Sequence, residues 1–322
     1  MKLPFGKKHI PLAATALVLV LLFATASFLY DGFCSMRVIA NLFYDNAELG
    51  VIAIGMTFVI LSGGIDLSVG SVAAFTTIFV ATMIQVNHLH PGIAWLLALA
   101  LGTALGCGMG MLIHFFKLPP FLTTLGGMFF ARGMAFYVYD LSRGIEHPLY
   151  TAIQDFDIPL FGVATLSAEA QVFIVMFIIA LYLAHLTRTG RTVYAIGDNE
   201  QSAVLMGLPV GRTKILVYTF SGFCSALGGI IATFYMGSGN PAYGIGRELD
   251  AIACVVIGGT LLSGGIGYIF GTLLGVLIFG TIQTALLFDG RLNSWWLRIA
   301  VGLLLLLFIL LQRFLSSRAR KA

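Results

Sequence analysis

The chain has 322 residues, of which 59% are hydrophobic and only 10% charged, with a mean hydropathy of +0.97. An average soluble domain carries roughly 25% charged residues, so this composition cannot cover a water-facing surface and reads as an integral membrane protein. The net charge of +4 is no nucleic-acid signal, because the basic residues gather in loops and at the termini.

The apolar runs are long and lack the ten-residue alternation of an outer-membrane barrel, so the predicted fold class is all-α, a polytopic membrane protein. Its 38 glycines suit helices that approach closely inside a bilayer. The four cysteines (Cys34, Cys107, Cys224, Cys254) and six histidines show no ligand spacing, which predicts neither a metal site nor a disulfide.

Runs of roughly 17–25 apolar residues, shorter where a helix is broken, mark the spans. In chain order they are 10–30, 47–62, 67–86, 93–116, 120–139, 169–187, 214–237, 251–262, 266–287 and 296–312. The first, behind Lys2, Lys7 and Lys8, has the outline of a signal peptide, with Ala24-Thr25-Ala26 like a cleavage site. At ~20 residues it exceeds the usual signal core, and it reads as an uncleaved span. About ten transmembrane helices result, and 47–62 and 251–262 are too short to cross upright.

The N-terminal lysines place that end in the cytoplasm by the positive-inside rule. Counting alternately puts 140–168 outside, with Asp140, Glu146, Asp155 and Asp157 against Arg143 alone. The C-terminus, with Arg313, Arg318, Arg320 and Lys321, falls inside. Residues 1–322 thus form a single transmembrane domain. The 140–168 segment is either a docking surface for a periplasmic partner or a passive connection.

The cytoplasmic loop 187–214 is the longest polar interruption on that side. It holds Arg188, Arg191, Arg212 and Lys214 against Asp198 and Glu200. Within it lies a miniature helix with both ends marked. Asp198 or Asn199 can cap it, and Gln201 stands three residues after Asp198 as in a capping box. Gly207 can take the left-handed position, and Pro209 forbids continuation. The loop is either an ordinary solvated connection or a displayed helix on which a soluble partner pushes.

Phe58–Val72 reads FVILSGGIDLSVGSV. Asp66 in it must face protein or water, since a lipid-facing carboxylate costs about 2.5–3.5 kcal/mol. It could line a pathway or cap the helix predicted from Leu67, with Ser68 and Ser71 nearby; the cap is favoured, near the cytoplasmic face. Glu248–Gly267 echoes Glu48–Asp66, including Leu-Ser-Gly-Gly-Ile. Internal repeats are common in transporters, but both copies run from outside to inside, so the echo carries little topological weight.

Leu61–Gly64 and Leu262–Gly265 look like the signature peptide of ABC ATPases. Their flanks are apolar, however, and no phosphate-cradling Gly-x-x-x-x-Gly-Lys-Ser/Thr exists, so any ATP belongs to another chain. Arg132, inside 120–139, could pair with a carboxylate, cap a glycine-broken helix or line a pathway. No nucleophile–base set is present, so the chain does not read as an enzyme.

Three stretches carry a family resemblance: GMTFVILSGGIDLSVGSV (55–72), AIGDNEQSAVLMGL (195–208) and ELDAIACVVIGGTLLSGGIGYIFGTLLG (248–275). They resemble, in the same order, the permease subunits of bacterial ABC importers for ribose, galactose and related monosaccharides, over Arg37 to Arg313. FLTTLGGMFFARG (121–133), IGGTLLSGGIG and LNSWW (292–296) look closest to a galactofuranose importer permease.

The resemblance implies a multi-pass inner-membrane subunit that binds no cofactor itself. ATP and Mg would sit on a partner ABC ATPase. The other partners implied are a second permease, in a heterodimer, a periplasmic sugar-binding protein and membrane lipid. It assigns coupling to the ATPase to the segment holding Ala195, Gly197, Asp198, Asn199, Glu200, Ala203 and Gly207. The family often has Gly-Gly-Asn where this chain has Gly197-Asp198-Asn199, and Asp also caps helices well. Candidate pathway or broken-helix positions are Ser62, Gly63, Gly64, Asp66, Arg132, Ser263, Gly264 and Gly265. The rival reading is an ion-coupled secondary sugar transporter, which broken helices and repeats also suit.

Overall fold

The computed structural model describes residues 10–160, 163–291 and 295–319. Lys2, Lys7, Lys8, Arg320, Lys321, residues 292–294 of the LNSWW stretch and the side chains of Arg313 and Arg318 lie outside the described residues. The chain is a helical bundle. Among the described residues, six helices are long and apolar enough to cross a membrane. They are α1 (Ile10–Leu29), α5 (Pro91–Phe115), α6 (Pro120–Val138), α8 (Ala168–Leu186), α11 (Val210–Met236) and α13 (Ile269–Asp289). A bent pair, α2 (Met36–Asp45) and α3 (Ala47–Leu61), inclined at 57°, makes a seventh if it is counted as one span. Two shorter apolar helical stretches are α4 (Val69–Gln85) and Trp295–Leu310 within α14 (Trp295–Ala319), while α12 (Arg247–Ile257) packs beside α3.

The bent pair shows how the short predicted run 47–62 is extended. Asn46 ends α2 and begins α3, and its side-chain amide donates to the Leu42 carbonyl at 2.9 Å. Room for that amide comes from Gly280 on α13, where a Cβ would overlap it. All fifteen residues of α3 are buried, which makes it the central helix. Around it pack α8, α11, α12 and α13.

Glycines set the tightest helix contact. Gly102, Gly106 and Gly110 recur every four residues on α5, so they share one face. A Cβ on Gly106 would overlap the Tyr218 carbonyl of α11, one on Gly222 the Gly102 carbonyl, and one on Gly110 would crowd Ile215. Small residues at this spacing let two membrane helices meet backbone to backbone.

One end of the bundle carries the small structures of the 140–168 segment. There β1 (Arg143–Gly144) pairs antiparallel with β4 (Ser238–Gly239), followed by α7 (Pro148–Gln154). A hairpin of β2 (Asp157–Leu160) and β3 (Ala164–Ser167) follows. The twelve strand residues among those described depart from a purely helical expectation, and they arise where the sequence leaves the apolar runs. The opposite end is basic. It carries α9 (Arg188–Asp198) and α10 (Glu200–Leu205) between α8 and α11.

Candidate functional site

Helix α9 was not foreseen in the 187–214 loop. Thr187 caps it, its hydroxyl accepting from the Gly190 N–H at 3.1 Å and donating to the Leu183 carbonyl at 2.6 Å. The helix is amphipathic: Gly190, Thr192, Val193 and Ile196 are buried while Arg188 and Arg191 are exposed. Its last residue is Asp198, so Asn199 alone caps α10, its side-chain oxygen accepting from the Ser202 N–H at 2.8 Å. Gly207 closes α10 at φ +73°, and the Gly207 and Leu208 N–H groups return to the Val204 and Ala203 carbonyls.

Both short helices are held from below. Ala203 is fully buried in a small cluster with Ile196 and Val210. Lys214 on α11 pairs with Glu200 at 2.7 Å. Facing outward, Val204, Leu205 and Met206 form an apolar knob, with Leu205 88% exposed. These three went unnoticed in the sequence, although three consecutive large apolar residues in a polar loop were the available signal.

Beneath that knob, three glycine segments meet. A Cβ on Gly197 would overlap the Leu61 carbonyl oxygen and the Gly265 nitrogen, so the end of α9 lies directly on both broken-helix loops. The loops also bond to each other: Gly265 N–H donates to the Leu61 carbonyl at 3.0 Å. Gly63, Gly264 and Gly265 all have positive φ, which the tight turns after α3 and α12 require. The echo between residues 48–66 and 248–267 is therefore spatial as well. The two copies run side by side in the same sense, their Leu-Ser-Gly-Gly turns abutting at the basic end. Tyr194 adds a clamp by donating to the Gly267 carbonyl at 2.9 Å. Burial pushes its phenol up to about 12, so the hydroxyl keeps the proton it donates.

The other predicted positions have separate partners. Ser62 turns inward and donates to Val59 O at 2.8 Å, whereas Ser263 is exposed. Asp66, 0% exposed, accepts from the Ser68 N–H at 2.9 Å, the Ser68 hydroxyl at 2.6 Å and the Ser221 hydroxyl of α11 at 2.7 Å. It closes the turn before α4, which starts at Val69 rather than Leu67, and ties that turn to α11. Arg132 donates to the Pro241 and Tyr243 carbonyls at 2.8 and 2.6 Å, fixing α6 to the irregular segment before α12.

A polar group absent from the predictions lies at the far ends of the paired copies. Arg247, opening α12, bridges Glu48 of α3 at 3.3 Å and Asp250 at 3.5 Å. The two copies are thus joined by an ion pair at their starts and by a backbone hydrogen bond at their ends.

A family model for permease components of branched-chain amino acid transport systems matches residues 38–310, most of the chain. The chain belongs to this family. It is a permease component, and a multi-pass inner-membrane protein. The inner membrane ABC transporter permease protein YjfF of Escherichia coli is 49% identical over 96% of this chain and 94% of its own. The ribose import permease protein RbsC of Bacillus subtilis is 40% identical, covering 93% and 92% of the two chains. The fructose import permease protein FruG of Bifidobacterium longum is 37% identical, covering 95% and 92%. No solved structure matches the chain.

Proposed function

We propose that this permease component belongs to an ATP-binding-cassette importer that carries a monosaccharide, galactofuranose, into the bacterial cytoplasm. The observation that carries the reading is the seating of α10. A capped helix with an apolar knob packs through Ala203 on Ile196 of α9, whose Gly197 lies directly against the two Leu-Ser-Gly-Gly turns. The relatives named for ribose and fructose import support a sugar as cargo. Galactofuranose rests on the likeness of residues 121–133, 257–267 and 292–296.

In this reading the basic end faces the cytoplasm, the chain crosses ten times, and the 140–168 segment meets a periplasmic sugar-binding protein. A separate ATPase, which alone holds ATP and Mg, grips Val204, Leu205 and Met206. Its closure moves α10, Ala203 passes the displacement to Ile196, and Gly197 drives it into the turns at residues 61–64 and 262–265. Those turns are the ends of buried helices, so a small shift there moves α3 and α12 together. A second, different permease completes the pathway. The chain itself does no covalent chemistry; it supplies contacts that differ between outward- and inward-open states.

Transport assays in reconstituted vesicles containing the full complex test the substrate. Galactofuranose is expected to stimulate ATP hydrolysis and be accumulated in preference to ribose and fructose. Stimulation by ribose or fructose alone would reassign the sugar while leaving the importer intact. Undiminished ATP-independent accumulation would overturn the importer.

A further inference from the structure

Beside the coupling helices lies a cavity of about 550 Å³ with an uneven lining. Arg188 and Arg191 of α9 and Arg212 of α11 line it, with Thr189 and Thr192 between them. No carboxylate lines it, and among the described residues none of the three arginines makes an ion pair. Lys214, close by in sequence, is already taken by Glu200. Three uncompensated guanidinium groups around one cavity repel one another, so an anion that enters gains from all three.

Two further features narrow the anion. The start of α11 at Val210 has no side-chain cap; the Val210 N–H bonds to the Leu208 carbonyl, and the positive end of this 27-residue helix lies at the cavity, which Pro209, Arg212 and Thr213 line. Leu216, 53% exposed, also lines the cavity with Leu208 and Pro209, and it lies on a helix long and apolar enough to cross a membrane. The lining therefore joins three guanidinium groups to apolar residues, one of them on a candidate membrane span. A soluble phosphate would leave Leu216 unused, whereas a phosphodiester with attached acyl chains matches both halves. Basic pockets at helix ends hold anionic headgroups in this way.

We infer that the cavity lined by Arg188, Arg191, Arg212 and Leu216 binds the headgroup of an anionic phospholipid, its phosphate among the arginines and a chain along Leu216. This places a lipid against α9, the element whose end rests on both glycine turns. The lipid thereby braces the coupling helices from the membrane side, whereas the knob at Val204–Met206 remains free for the ATPase. The inference does not depend on which sugar is carried.

Native mass spectrometry of the complete transporter in detergent, titrated with phosphatidylglycerol against phosphatidylethanolamine, is the test. Phosphatidylglycerol is expected to bind at least roughly tenfold more tightly. The Arg188→Gln/Arg191→Gln/Arg212→Gln variant is expected to lose that preference, and Arg143→Gln, at the opposite end, to keep it. Thr189→Glu serves as a second variant: a carboxylate in the first turn of α9 favours the helix yet repels phosphate, so its loss of preference cannot come from unfolding. Equal binding of the two lipids, or unchanged preference in both variants, would overturn the assignment. Displacement of phosphatidylglycerol by millimolar inorganic phosphate that occupies the site alone would make it a free-phosphate site, also overturning it. Loss of the ATPase from the triple variant with lipid preference intact would assign the arginines to that partner instead.

Discussion

Gly197 holds a tightly enclosed position, because a single methyl group there collides with backbone at the end of α3 and in the turn after α12. Neither backbone can rotate away as a side chain could, so overpacking of this kind costs about 1–3 kcal/mol. Gly197→Val is expected to insert and assemble but to lower sugar-stimulated ATP hydrolysis roughly tenfold or more, the factor for about 1.4 kcal/mol. Hydrolysis at the wild-type rate would remove Gly197 from the coupling route. Asp66 answers to a different test. Asp66→Leu strands the Ser68 N–H and the hydroxyls of Ser68 and Ser221 in a dry interior, at about 1–3 kcal/mol for each unsatisfied group. Its midpoint of thermal unfolding in detergent should fall well below that of Asp66→Asn, which retains an acceptor. Equal midpoints would show that these hydrogen bonds do not hold the turn.

Among the elements, α10 is too short to be stable alone. It exists because its caps, the Glu200–Lys214 pair and the burial of Ala203 all act at once. Ala203→Pro removes the N–H that bonds to the Asn199 carbonyl and places a ring in a packed site. The expected outcome is loss of sugar-stimulated hydrolysis with normal membrane insertion, read from ATPase rates beside membrane yields. Full stimulated activity would deny α10 its coupling role. The α5–α11 contact makes a structural counterpart: Gly106→Leu forces apart helices that touch at the Tyr218 carbonyl, so yield of monodisperse protein should fall sharply. A leucine tolerated there without loss would mean that the helices do not approach as closely as the glycine face allows.

For the whole molecule, the paired copies are joined by Arg247–Glu48 at one end and Leu61–Gly265 at the other. In the proposed importer a push on either turn would be shared by α3 and α12, which suits a subunit driven from outside rather than by its own bound ions. With proton and sodium gradients collapsed and ATP maintained, uptake is expected to continue. Abolished uptake under those conditions would promote gradient coupling. Affinity purification from native membranes should also recover an ATPase and a second permease, and a lone functional chain would oppose both partners.

The amino-acid sequence by itself determined the membrane class, the order of the apolar helices and the ends of α10. Each rests on local information: composition, runs of apolar residues, and an Asn and a Gly that satisfy or redirect nearby backbone. It also marked the two Leu-Ser-Gly-Gly breaks, but their likeness suggested only repetition. The tertiary structure alone decided that the breaks meet under Gly197, that Asp66 bonds to a hydroxyl 155 positions away, and that Glu48 finds Arg247. Helix α9 likewise gains its helical state from burying Val193 and Ile196 against the bundle, a stabilisation that its arginine- and glycine-containing sequence does not announce. Such contacts depend on which helices lie side by side, and a membrane interior that makes every apolar run alike leaves that choice to the packing of small residues and the few polar groups that must find partners.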